Sequence, residues 1–314
     1  MCIIKGKIQP QITNLSPLNI IGGMGQVLTI RGTGFGDSRG TNFVSFKQND
    51  PDIYMDEQAG TALNYCNWSD KQIEVEMPSA YSGTIHMNID GTKCISPEIL
   101  NVKANFNTIS TNPLDYFHLI NKNGRGGYTW YIHREYWENS DARTAIEEVF
   151  EEFRCKTGVN FVLANHPTDE IPACNPHINL IGPDLTIPVG GFHYLCWYTS
   201  PAFSHSVSMN IGMSSSEVWY YGKGDLQNGS AKFRYVLMHE LGHAAGLGHV
   251  NELGQTMYPS VTLQPSNSWF QRDSLTNEEV TAISHFVKLS QNFAFRGPGI
   301  TPLLPITDCK SIYE

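Results

Sequence analysis

No run of about 18 consecutive apolar residues occurs in this chain of 314 residues, so nothing in it reads as a membrane-crossing helix. Charge is also scarce, at 16% of residues with a net value of -9, and no cluster of Lys and Arg appears. Phosphate binding needs concentrated positive charge, so nucleic acid is excluded as an expected partner. None of the seven cysteines forms a C-x-x-C pair, which removes a cysteine zinc site and a thioredoxin-type motif. The first residues hold neither a charged n-region nor an apolar h-region, so no signal peptide is read in this sequence. What is present is 40% hydrophobic and 11% aromatic residues, enough for packed cores and against disorder as the main state. The length suits two domains.

Cys2, Cys66, Cys94, Cys155, Cys174, Cys196 and Cys309 are scattered through a chain rich in Asn, Ser, Thr and Gly. That distribution fits an oxidising compartment, with up to three disulfides and one cysteine left over. Seven buried thiols in a cytosolic protein are the alternative. Cys66 and Cys94 fall in one segment and are candidates to pair within it. The expected location is extracellular or cell-surface. A mature protein with its signal removed would begin this way, and Cys2 is then either the lipid-bearing cysteine of a bacterial lipoprotein or an ordinary free cysteine.

Residues 10–105 read as β throughout. Short apolar or alternating runs at Val27–Ile30, Phe43–Phe46, Gln72–Glu76 and Thr84–Ile89 are separated by Gly-, Asp- and Ser-rich turns. About seven short strands in such a length argue for a β-sandwich. Ile12-Thr13-Asn14-Leu15-Ser16-Pro17, Gly22-Gly23 and Leu28-Thr29-Ile30-Arg31-Gly32-Thr33-Gly34-Phe35-Gly36 resemble the opening of IPT/TIG domains. Trp68-Ser69-Asp70-Lys71-Gln72-Ile73 and Ser82-Gly83-Thr84-Ile85 resemble their middle strands. The resemblance covers residues 8–104. It implies an all-β immunoglobulin-like sandwich, and the module is read as a binding or spacing unit. Two roles are open: contact with an extracellular or cell-surface protein or glycan target, or packing on the following domain to shape access to its cleft. Trp68 and Tyr81 read as core or turn residues rather than a carbohydrate platform.

Residues 105–114 read as a linker, and a mixed α and β pattern follows over 115–290. Tyr128–His133 is a strand candidate, and Asp141 opens a helix with Ala145, Ile146, Val149, Phe150 and Phe153 at helical spacing, ending near Gly158. Val159–Leu163, Ile178–Ile181 and Ser206–Ile211 are further strands. A second helix follows a cap region at Asn228/Ser230 and runs to about Gly246. A third opens on the capping box Thr276-Asn277-Glu278-Glu279. Residues 291–314 read as an extended, proline-bearing tail.

The chemistry is concentrated in His239-Glu240-Leu241-Gly242-His243-Ala244-Ala245-Gly246-Leu247-Gly248-His249. On a helix, His239 and His243 stand one turn apart on one face, so both imidazoles can reach one Zn²⁺. Glu240 projects from the neighbouring face, in reach of a metal-bound water. Gly246 can leave the helix through a left-handed conformation, turning the chain so that His249 supplies a third ligand. Three protein ligands leave a position open, as in a catalytic rather than a structural site. Met257 follows His249 by eight residues, in Gln255-Thr256-Met257-Tyr258-Pro259.

These motifs resemble the metzincin zinc peptidases, and the Met-Tyr-Pro at that offset resembles their matrixin branch, over residues 115–290. The resemblance implies an α+β catalytic domain with a twisted mixed sheet and three main helices, and Met257 as the methionine turn beneath the histidines. It implies one catalytic Zn²⁺ on His239, His243 and His249, and Glu240 activating the zinc-bound water to hydrolyse peptide bonds in a protein or peptide substrate. In the family the substrate lies extended against the sheet edge, here by position Gly190–Leu195. The loop after the methionine turn walls the S1′ pocket, which points to Tyr258, Pro259, Ser260 and Val261, with Trp269 and Phe270 nearby. Two departures stand out. No cysteine lies in the Pro-Arg-Cys-Gly context of matrixin propeptides. His177, His193 and His205 occupy the region of the family's structural zinc without its Gly-Asp pattern, so neither a second Zn²⁺ nor a structural Ca²⁺ is indicated. The rival readings are a non-catalytic adhesion or binding protein with a vestigial zinc site, and a zinc hydrolase acting on a non-peptide bond.

Overall fold

The computed structural model describes residues 9–47, 54–55, 63–106, 128–173, 178–188, 190–200, 203–223, 230–252, 255–259, 274–292, 306 and 308–313. The chain divides into two compact units, Met1–Asn107 with Val250–Glu252, and Thr108–His249 with Leu253–Glu314.

The first unit is all β: β1 (Gln11–Ser16), β2 (Asn19–Gly22), β3 (Val27–Thr33), β4 (Phe43–Lys47), β5 (Tyr54–Met55), β6 (Tyr65–Trp68), β7 (Gln72–Glu76), β8 (Gly83–Ile89) and β9 (Thr92–Phe106). One antiparallel sheet runs β1-β3-β7-β6. In the other, β9, β8, β4 and β5 pair antiparallel in that order, and β2 adds parallel to β9. Strand β7 shows why the sequence folds this way. Ile73 and Val75 are buried while Gln72, Glu74 and Glu76 alternate with them, the period of a half-buried strand. Both sheets contribute to one core, with Leu28, Ile30, Ile73 and Val75 from the first and Val44, Met87, Leu100 and Val102 from the second. Each such side chain contributes about 1.5–3 kcal/mol by leaving water.

Trp68 packs edge-on against Tyr65 and donates its indole N–H to the Phe35 carbonyl at 3.2 Å, and Tyr81 is buried. Both are structural, as expected. Strand β9 continues through Asn105 and Phe106, where the sequence suggests the start of a linker. The buried Asn105 amide accepts from Ala80 N–H (3.2 Å) and donates to Ala80 C=O (2.8 Å), so it acts as a tertiary clasp. Within the same unit Asn251 accepts from Ser82 N–H (2.8 Å) and donates to Ser82 C=O (3.0 Å), and Glu252 pairs with Lys103 at 2.7 Å.

The candidate pairing of Cys66 with Cys94 does not occur; both are free thiols. Cys66 lies on β6 and Cys94 on β9, strands of different sheets, so closeness in sequence does not bring their sulfurs together. Burial pushes the Cys94 thiol up to about 11, while Cys66 is exposed.

The second unit mixes both element types: β10 (Tyr128–Ile132), α1 (Arg134–Glu138), α2 (Ser140–Thr157), β11 (Phe161–Leu163), β12 (Asn179–Asp184), β13 (Gly191–Ser200), β14 (Phe203–Ser214), α3 (Phe233–Ala244) and α4 (Asn277–Asn292). Its sheet runs β11-β10-β12-β14-β13, parallel except for β13, which is antiparallel to β14. This is the mixed sheet anticipated from the sequence. Helix α2 starts at Asn139, whose side chain accepts from Asp141 and Ala142 N–H groups, and ends at Gly158 with φ of 79°. Its buried face meets the sheet, where Trp130 sits edge-on to Phe150 and Phe161.

The end of the chain is tied to this unit. Cys155 on α2 is bonded to Cys309. Beside it the buried Arg154 guanidinium donates to the carbonyls of Cys309 (3.1 Å), Asp308 (2.8 Å) and Ser311 (3.2 Å), and to Phe161 C=O (3.0 Å). Leu163 N–H on β11 donates to Ile312 C=O, so the chain end extends the pairing of that sheet edge.

Cys309→Ser is expected to lower the unfolding free energy by about 2–5 kcal/mol, read from urea denaturation. An unchanged midpoint would show that the strap carries no stability. Iodoacetamide at about pH 8 is expected to modify Cys66 ahead of Cys94, checked by peptide mass mapping, because the buried thiol forms little thiolate. Equal rates at the two sites would contradict that burial.

Candidate metal centre

Helix α3 is buried on every side, with each residue from Phe233 to Gly242 and Ala244 inside. Such a helix passes through a protein interior, and ionisable side chains there need partners. Its N-cap is Lys232, without a side-chain cap hydrogen bond. The sequence pointed to Asn228 and Ser230 for that role; Asn228 lies outside the described residues, and Ser230 precedes the observed cap. The helix stops at Ala244, and Gly246 then adopts φ of 82°, the left-handed conformation that glycine takes at low cost. This reversal returns His249 to the face that carries His239 and His243.

The three Nε2 atoms meet. His243 is 3.1 Å from both His239 and His249, and His249 is 3.2 Å from His239. Ligands around a tetrahedral zinc with Zn–N bonds of about 2.05 Å stand about 3.3 Å apart, so the donor set fits the ion. Two of the three tautomers follow from partners that can only accept. His239 donates Nδ1–H to Thr256 C=O at 2.7 Å, and His243 donates Nδ1–H to Leu247 C=O at 2.9 Å. Each ring therefore turns an Nε2 lone pair inward, and converging lone pairs are stabilised by a cation. Among the described residues these three histidines form the one group of His, Cys, Asp or Glu side chains able to share a metal.

Glu240 is 5% exposed and stands against the head of β13. A Cβ placed on Gly191 would lie 3.3 Å from Glu240 Oε1 and 2.6 Å from Val236 Cγ1, so only glycine lets the strand approach this helix so closely. Beneath the helix Met257 is fully buried. A Cβ on Gly242 would lie 2.5 Å from its sulfur, so this glycine makes room for the methionine. The turn closes with Tyr258 N–H donating to Gln255 C=O at 3.2 Å.

The structure thus brings together His239, His243, His249, Glu240 and Met257, each named from the sequence. Tyr258 is half-buried and Pro259 exposed directly after the methionine, while Ser260, Val261, Trp269 and Phe270 lie outside the described residues. Of the secondary histidines, His193 falls on β13 and His205 on β14, and His177 lies outside the described residues. Sequence reasoning missed the spacing roles of Gly191 and Gly242 and the carbonyl of Thr256. Gly242 stands inside the motif, but a glycine within a helix does not announce what presses against it.

Gly242→Ala is expected to destabilise the protein by about 1–3 kcal/mol through overpacking, measured by thermal unfolding. Adding Met257→Ala should recover part of that loss. Strictly additive effects in this double-mutant cycle would deny the contact.

Comparison with known proteins agrees with this division of the chain. Residues 190–286 match the family model of the matrixins, and residues 10–101 match that of the IPT/TIG domain. No curated protein matches the chain. Solved structures with a similar segment include an auxiliary nutrient binding protein from Bacteroides thetaiotaomicron, at 19% identity over 31% of this chain and 21% of that one, with a TM-score of 0.24. Another is an auxiliary nutrient binding protein from Bacteroides ovatus, at 14% identity over 34% and 25% of the two chains, with a TM-score of 0.25. SGBP-B from a complex xyloglucan utilization locus in Bacteroides uniformis matches at 17% identity over 29% and 23%, with a TM-score of 0.22. The chain spans about a quarter or less of the length of these proteins, and likenesses of this size carry no argument about its role. The chain joins a segment similar to IPT/TIG domains to a segment similar to matrixins, and the three converging histidines lie inside the latter.

Proposed function

We propose that this protein is a zinc-dependent endopeptidase. The observation that carries the reading is the convergence of three Nε2 atoms at 3.1–3.2 Å, two from helix α3 and one from the turn after it, with the buried Glu240 directly following His239. His239, His243 and His249 would hold the ion, which supplies Lewis acidity to the scissile carbonyl and acidifies water. Glu240 is the general base. It accepts a proton from the attacking water as the O–C bond forms, and returns it to the amine nitrogen as the C–N bond breaks. Gly191 places the head of β13 beside that carboxyl group, and among the described residues β13 is the last strand of the sheet. An edge strand is where an extended peptide adds by main-chain hydrogen bonds, antiparallel or parallel to the strand. Tyr258, Pro259, Ser260 and Val261, following Met257, are assigned to the wall of the adjoining side-chain pocket.

The domain assignment accompanying this reading is an IPT/TIG-like sandwich from residue 8 to the end of β9 at Phe106, then a linker from there to 114 in place of the expected 105–114. A matrixin-like peptidase domain follows from 115 and includes α4 to Asn292. The chain end is fastened to it by Cys155–Cys309, where the sequence suggests an extended tail over 291–314. The sandwich serves as a binding or spacing module toward an extracellular protein or glycan. The Cys155–Cys309 disulfide supports an extracellular or cell-surface location, since such bonds persist in oxidising compartments. Among the described residues no helix is long and apolar enough to cross a membrane.

Glu240→Gln is expected to abolish cleavage of a peptide library by the full-length protein while zinc content stays at the wild-type level. Retained cleavage would remove Glu240 from its role. A wild type that binds zinc and cleaves nothing in the library would favour the non-catalytic binding protein instead.

A further inference from the structure

Glu279 lies in the first turn of α4 and is 0% exposed. A carboxyl group is seldom buried so completely unless its oxygens are paired. Oε2 accepts from Thr276 N–H at 2.8 Å, and Glu279 N–H donates to Thr276 Oγ1 at 3.2 Å, which makes a reciprocal capping box. That role uses one oxygen. Oε1 accepts from Thr256 N–H at 2.8 Å, and Oε2 accepts a second time, from the Thr256 hydroxyl at 3.1 Å. A helix cap has no need of two bonds to a residue 23 positions earlier in the chain.

Thr256 is the residue whose carbonyl receives the Nδ1–H of His239. It is fully buried, as is Met257 after it, so water is not at hand to replace a lost partner. Resting on the zinc reading above, we infer that Glu279 is a positioning residue of the metal centre. Its carboxyl group grips the N–H and the hydroxyl of Thr256, which aims the carbonyl that orients the His239 ring. The grip also fixes the height of the methionine turn under Gly242. Glu279 touches none of the three ligands, and its effect on the metal passes through Thr256. Groups placed behind a ligand in this way set its tautomer and ring orientation.

The test is zinc affinity of the full-length protein, measured by competition with a chromogenic chelator, alongside thermal unfolding of the metal-free protein. Glu279→Gln turns an NH₂ group toward donors that need an acceptor, and is expected to weaken zinc binding by about 10–100-fold. Thr256→Val, which removes only the hydroxyl bond, should shift affinity in the same direction by less. Thr276→Ala breaks the capping box yet leaves Thr256 held, so it should lower the melting temperature without changing zinc affinity. The inference is overturned if Glu279→Gln binds zinc as the wild type does, or if Thr276→Ala weakens binding equally. Should Glu279→Gln not fold, Thr256→Val decides, and an unchanged affinity there overturns it. A wild type that takes up no zinc refutes the reading of the site itself, an outcome distinct from a wild type and variants that bind alike.

Discussion

Three imidazole nitrogens pointed at one another are the constraint on which the second unit depends. At 3.1 Å the inward lone pairs of His239 and His243 repel unless a cation lies between them. The surrounding chain has to hold that arrangement against repulsion and against the loss of hydration. It does so with main-chain carbonyls, Thr256 for His239 and Leu247 for His243. It also needs one left-handed residue, Gly246, to bring His249 back. Each of these devices is backbone, and therefore rigid to the extent that its own partners are satisfied. Glu279 behind Thr256 supplies that satisfaction at one end.

Close approach is the second theme of the site. Helix α3 is gripped by β13 on one side and Met257 on another, and at both contacts the residue giving way is a glycine. Gly191 brings main chain within reach of Glu240, and Gly242 seats the thioether under the histidines. Absent side chains thus shape the centre as much as present ones. The mixed sheet beyond provides the frame. One of its edges is β13, and at the other β11 pairs with the chain's end, which Arg154 and the Cys155–Cys309 bond fasten.

Much of this was legible from residue spacing. The strands around Leu28, Ile73 and Ile85 show their alternation directly, because period-2 patterns reflect burial on one face. Helix α2 reveals both ends, through a polar N-terminus and Gly158. The histidines, Glu240 and Met257 stand at intervals that only a helix, a turn and a return make useful. Other features resisted. Asn105 resembles loop composition yet is a buried clasp, since an amide that satisfies Ala80 at both ends is as polar in sequence as one facing water. Cys66 and Cys94 are candidates to pair by their nearness in sequence, but the sandwich places their strands in different sheets.

Glu279 marks the division most clearly. Its place in a capping box follows from Thr276 three residues before it, a local rule that the amino-acid order obeys without reference to the rest of the fold. Its grip on Thr256, like Gly242's contact with Met257 and Arg154's hold on the chain end, depends on segments far apart in sequence. The sequence by itself determined which residues can ligate a metal and which stretches carry the period of a helix or a strand. The tertiary structure decided which buried polar groups satisfy one another. Such pairings are settled by the packing of whole elements, and no short-range periodicity records them.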